Sequence, residues 1–139
     1  MNSRPPKISP WNLWFAGLLL AVTVVGIAAT VYFFNPSAHR FYPVCQFHRL
    51  TGLNCPGCGG TRALYALLHG DLLSALRDNA LLVAGLAGTG LRGAWFALNW
   101  LRGRRNGDFF PPRYLVPLLV VTVLFGVLRN LPAFAFLSP

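Results

Sequence analysis

The residues best suited to chemistry are the three cysteines, and all of them fall between positions 45 and 58. They read Cys45-Gln-Phe-His48 and then, after six residues, Cys55-Pro-Gly-Cys58-Gly59, a C-x2-H-x6-C-x2-C spacing. Two pairs of soft donors, each pair two residues apart, match how four-coordinate zinc is held. Pro56 stiffens the turn, and Gly59 permits a positive φ that lets backbone N–H groups face a thiolate. Thiolate and imidazole suit zinc, which needs no redox partner. The spacing therefore offers Cys45, His48, Cys55 and Cys58 as ligands to one zinc ion.

Two other chemistries fit the same residues. Cys55 and Cys58 form a C-x-x-C pair, so a dithiol/disulfide couple is open to them, with Cys45 as a resolving thiol. The cysteines can also be plain packing residues of a turn. The motif runs on as Gly59-Gly60-Thr61-Arg62-Ala63, with a helix expected from Thr61, whose hydroxyl can cap it. A thiolate at a helix start is stabilised by the dipole, and Arg62 adds a positive charge, which predicts a lowered pKa for Cys58.

Catalytic carboxylates are scarce. The chain has no Glu, and Asp71 and Asp78 read as helix caps or partners of Arg77 and Arg62. No Ser-His-Asp arrangement, phosphate-binding glycine loop or H-E-x-x-H is present. His39 and His69 read as surface or capping residues. This balance points to an accessory or binding module more than to an enzyme, with two alternatives: a membrane thiol-disulfide oxidoreductase using Cys55 and Cys58, and a helical scaffold subunit of a membrane complex.

The stretch from Cys55 to Ala63 resembles the Cys-Pro-x-Cys-Gly-x-Thr-Arg-Ala signature of a bacterial multi-pass membrane-protein family known only as a domain of unknown function. The residues of this chain that carry the resemblance are Cys55, Pro56, Cys58, Gly59, Thr61, Arg62 and Ala63. Flanking residues agree: Phe41-Tyr42-Pro43 and Cys45, Leu50-Thr51-Gly52, His69-Gly70-Asp71, Asn79, and Arg129-Asn130. The resemblance implies a small multi-pass membrane protein and carries no established activity. His48 is not part of the signature, so its place among the ligands rests on spacing alone.

The elements that must position the cysteine loop are apolar. Of the 139 residues, 55% are hydrophobic and 11% charged, against about 25% charged in a soluble domain. The net charge of +9 comes almost entirely from Arg. These Arg residues sit at the edges of apolar runs and form no stripe of their own, which argues against nucleic acid and for anchoring at lipid headgroups.

The expected fold is an all-α membrane protein with about three transmembrane helices and short interfacial helices after the cysteine-rich loop. Residues 1–10 are a polar lead with Arg4 and Lys7. Residues 11–34 form span one, between Trp11 and Trp14 at one interface and Tyr32, Phe33 and Phe34 at the other, and Asn35-Pro36 stops it. The first apolar run is too long for a cleaved signal and reads as a retained anchor. Residues 35–60 are the cysteine-rich loop. Residues 61–78 form two interfacial helices, broken at His69-Gly70 and restarted by an Asp71 cap.

Residues 79–100 form span two. Gly85 and Gly93 lie near one face of it and allow close helix packing, with another copy or another membrane protein. Arg92 inside this span is either a partner for Asp71 or Asp78, a contact to an anionic lipid, or a residue near the headgroups. Residues 101–113 are a basic loop with Arg102, Arg104, Arg105 and Arg113. Residues 114–130 form span three, short for a crossing unless Arg129 snorkels, and residues 131–139 are a tail. The basic residues of the lead and of the 101–113 loop favour a cytoplasmic N-terminus with the cysteine loop outside, and the resemblance implies that the membrane is a bacterial inner membrane.

Overall fold

The computed structural model describes residues 9–39, 41–104 and 107–137. Most of the polar lead, including Arg4 and Lys7, lies outside the described residues, as do Arg40, Arg105 and the last two residues of the tail. All regular structure among the described residues is helical.

Helix α1 spans Pro10–Phe33, with proline in its first turn, where the missing N–H costs nothing. Its two threonine hydroxyls are satisfied within the helix. Thr23 and Thr30 donate their hydroxyls to the carbonyls of Leu19 and Gly26, each at 2.8 Å. The helix ends at Phe33, and further along the chain Tyr42 donates its hydroxyl back to the Phe34 carbonyl at 2.6 Å. That bond ties the start of the loop back onto the end of α1.

Helix α2, Gln46–Thr51, begins on Cys45 and is closed by Gly52 at φ 72. Helix α3, Gly60–Leu68, begins on Gly59 at φ 77 with no side-chain cap. The helix thus starts one residue before Thr61, and the Thr61 hydroxyl does not cap it. Gly70, at φ 78, turns the chain after α3. Asp71 then caps helix α4, Leu72–Leu101, by accepting the Ser74 N–H at 3.0 Å and its hydroxyl at 2.6 Å.

The sequence reading placed a short interfacial helix up to residue 78 and a span from 79. The structure joins them into α4, interrupted at Asn79, whose backbone is extended (φ −161, ψ 90). A 3-10 turn at Pro112–Tyr114 leads into helix α5, Leu115–Leu128, and a second 3-10 segment follows at Pro132–Leu137.

Two helices, Trp14–Phe33 and Leu72–Leu101, are long and apolar enough to cross a membrane, and Pro112–Leu128 is a shorter apolar segment. The buried apolar residues among those described are Val31, Ala63, Ala66, Ala75 and Val83. They sit where α3 packs on the first half of α4 and on the end of α1. Beyond that small core the helices present large apolar side chains outward, Leu19 at 68% exposed and Leu119 at 63% among them. Surfaces so apolar belong against lipid or another chain.

At the far end of α4, Arg92 donates from Nε to the Phe109 carbonyl at 2.7 Å and from a terminal nitrogen to the Asp108 carbonyl at 3.0 Å. Its guanidinium also lies 5.2 Å from the Phe96 ring centroid. Arg92 therefore pins the basic loop to α4 and does not pair with Asp71 or Asp78.

A candidate thiol site on a buried arginine

The cysteine loop is built from two short turns. Cys45 precedes α2 in an extended conformation. The second turn runs from Asn54 to Gly59, where the Cys58 N–H donates to the Cys55 carbonyl at 3.1 Å and the Gly60 N–H to the Gly57 carbonyl at 3.0 Å. Gly59 needs its positive φ here because the chain passes straight from this turn into α3.

The two turns bring the thiols together. The Cys45 and Cys55 sulfurs are 3.3 Å apart, as are those of Cys55 and Cys58. All three Sγ atoms lie within 4.8 Å of one another, half-buried and in no disulfide. Sulfurs bound to one tetrahedral zinc at about 2.3 Å sit about 3.8 Å apart. Three thiolates in this arrangement therefore need only a small outward shift to hold an ion.

His48 lies outside this cluster. Its exposed ring has Nδ1 3.2 Å from the Leu53 carbonyl, because the first turn of α2 carries it toward that strand of the loop. Its backbone N–H faces the Cys45 sulfur instead. That N–H, and then the Cys55 and Cys58 thiols, hold the Cys45 pKa below its ordinary value. Cys58 behaves oppositely to the sequence expectation. Burial, and then the neighbouring thiols, push it up to about 12. Helix start and Arg62 are outweighed because desolvation disfavours the charged form and Arg62 points outward.

The remaining motif residues have separate places. Ala63 is fully buried against α4. Thr61 lines an open apolar cleft against Gly26, Thr30 and Tyr42. Arg62 borders a polar cleft of about 430 Å³ with Tyr65, His69, Asp71 and Asp78. His69 is a capping residue: Nδ1 is 2.9 Å from the Tyr65 carbonyl, and its ring stacks on Tyr32 at 4.5 Å.

Under the loop lies a set of residues that the cysteine spacing does not announce. Arg129, at the end of α5, is 1% exposed. One terminal nitrogen donates to the Cys55 carbonyl at 2.9 Å and the Cys58 carbonyl at 3.0 Å, and the other reaches the Asp78 carbonyl at 3.4 Å. The guanidinium lies 5.1 Å from the Phe125 ring centroid. Asn79 is 2% exposed and donates to the carbonyls of Pro56 (2.9 Å) and Cys58 (3.1 Å). Its Oδ1 accepts the Leu82 N–H at 2.9 Å, so the break in α4 is also a helix cap. Gly126 faces Pro56 so closely that a Cβ there would sit 3.0 Å from Pro56 Cγ. Arg129 thus turns inward to the loop and does not snorkel. The sequence signals for this are the polar Arg129-Asn130 pair interrupting an apolar run and its place among the residues that carry the family resemblance.

Among the described residues the protein is all-helical, with two helices long and apolar enough to cross a membrane and three thiols that could hold a metal. A family model described as a protein of unknown function (DUF2752) matches residues 45–93. The resemblance to a domain of unknown function is thereby shown over those residues, which hold all three cysteines and Asn79 but not Arg129. No curated protein and no solved structure matches the chain.

Proposed function

We propose that the protein is a small multi-pass accessory module of a bacterial inner membrane, presenting a cysteine loop pinned by a bound zinc ion. The observation that carries this reading is the convergence of Cys45, Cys55 and Cys58 within 4.8 Å, on a loop whose far side is tied to α4 and α5. Soft sulfur donors in such a cluster suit zinc. His48 completes the ligand set if its side chain turns from Leu53.

A three-span arrangement fits the contacts. The end of α1, the Asn79 break of α4 and the end of α5 all meet at the cysteine loop, so the helices run alternately. Arg102, Arg104 and Arg113 collect at the opposite end, which favours a cytoplasmic N-terminus and an outward loop. The partners in this reading are the bilayer and another membrane protein or a second copy, seated on the Gly85 and Gly93 face.

The test is the zinc-to-protein ratio of detergent-purified protein prepared without chelator. A ratio near one that is lost in Cys58→Ser supports the pinned loop; a ratio near zero rejects it.

The two 3.3 Å sulfur contacts favour a second reading, thiol-disulfide exchange. Cys55 and Cys58 would join as a disulfide, passing two electrons and two protons to a partner disulfide or a membrane quinone. In that case Cys58→Ser keeps its fold and traps Cys55 in a mixed disulfide with the partner; recovery of intact variant with no adduct removes this reading.

A further inference from the structure

We propose that Arg129 is the positioning residue of the thiol site, holding the loop in its ligand-ready shape before any metal arrives. The inference rests on the metal reading of the cysteine cluster and assigns that site its support on another helix.

The turn Cys55-Pro-Gly-Cys58-Gly59 has two glycines and little packing of its own. Its inward carbonyls need donors, because the space beneath them is closed off from water. Arg129 supplies two of those donors from one nitrogen, to Cys55 and Cys58, the two residues whose thiols must converge. Asn79 supplies the others, to Pro56 and Cys58. With the carbonyls fixed inward, the Cys55 sulfur lies 3.3 Å from both the Cys45 and the Cys58 sulfurs.

Charge points the same way. Three thiolates around a divalent ion leave one net negative charge. Arg129 is a cation 1% exposed, close enough to Cys55 and Cys58 to feel their charge. The planar guanidinium reaches the loop carbonyls from one nitrogen and the Asp78 carbonyl from the other, whereas an ammonium is a point charge on a flexible stem. Residues that support metal ligands in this indirect way typically change affinity about 10–100-fold when replaced.

The experiment uses full-length, metal-free protein in detergent, titrated with Co(II) and read by thiolate-to-cobalt charge-transfer absorption. Wild type should saturate near one equivalent. R129Q should bind about 10–100-fold more weakly, and R129K should recover part of the loss. If R129Q does not fold, R129K decides alone. A folded R129K that binds Co(II) as tightly as wild type overturns the proposal. If wild type gives no charge-transfer band, the metal reading fails. Arsenite, which takes three converging thiols without any other metal, then tests the positioning role. Equal arsenite affinity in wild type and R129K rejects that role too.

Discussion

Asn130 holds the backbone of Asn54 from both sides. Its Oδ1 accepts the Asn54 N–H at 2.7 Å, and its Nδ2 donates to the Asn54 carbonyl at 2.8 Å. A side-chain amide here does what a neighbouring β-strand would do, across 76 residues of sequence. The same Nδ2 also reaches the Gly126 carbonyl at 2.7 Å, so one residue joins loop and helix.

Asn130→Ala removes both partners of Asn54 in a half-buried place. Each group left unsatisfied costs about 1–3 kcal/mol. The variant is expected to unfold at lower denaturant in detergent. Asn130→Asp should also lose stability, because a carboxylate cannot donate to the Asn54 carbonyl. Equal midpoints for wild type and Asn130→Ala would contradict the clamp.

The contact between Gly126 and Pro56 makes a closed thermodynamic cycle possible. Gly126→Ala puts a methyl group 3.0 Å from Pro56 Cγ, and overpacking of this kind costs about 1–3 kcal/mol. In a Pro56→Ala background the clash is gone, so the same substitution should be nearly neutral. Strict additivity of the two changes would show that α5 does not press on the loop.

The thiols should titrate apart. In chelator-treated protein Cys45, with its lowered pKa, should alkylate at lower pH than Cys58, pushed up to about 12. The raised value also has a sign for stability. The fold favours the neutral Cys58 thiol, so its contribution is whole below the ordinary value of 9.0 and is lost as pH rises from there through about 12. Cys58→Ala should flatten that part of the pH–stability curve. Mass-spectrometric mapping that finds Cys58 labelled before Cys45 would reverse the assignment.

Arg92 predicts the behaviour of the other end. Its two bonds to the carbonyls of Asp108 and Phe109 hold the basic loop down. Hydrogen bonds from a charged donor contribute about 1.5–3 kcal/mol each. Arg92→Met should therefore speed tryptic cleavage after Arg102 or Arg104 by roughly tenfold or more. Unchanged cleavage would mean that the loop is fixed by something else.

What the sequence made readable was local. Asn35-Pro36 marks where α1 stops, His69-Gly70 marks the end of α3, and Asp71 caps α4, because caps and glycine turns act over a few residues. The grouping of Cys45, Cys55 and Cys58 was readable for the same reason. What stayed hidden acts at long range or depends on burial. Arg129 and Asn79 bind backbone carbonyls, which every residue has, so no side-chain pattern in the loop points to them. His48 has the right spacing, yet the twist of α2 takes its ring to Leu53. The shift at Cys58 depends on how deeply the turn is seated, and spacing does not report depth.

The bonds from Arg129 to Cys55 and Cys58 span 74 and 71 residues. During synthesis the cysteine turn emerges well before the residue that fixes it. Once α4 is made, Asn79 can reach the Pro56 and Cys58 carbonyls, but the Cys55 carbonyl gains its donor only when α5 docks. The thiol loop thus takes its support from two helices made at different times, α4 first and α5 last. A ribosome stalled before residue 129 leaves a loop that is chemically complete but held from one side only.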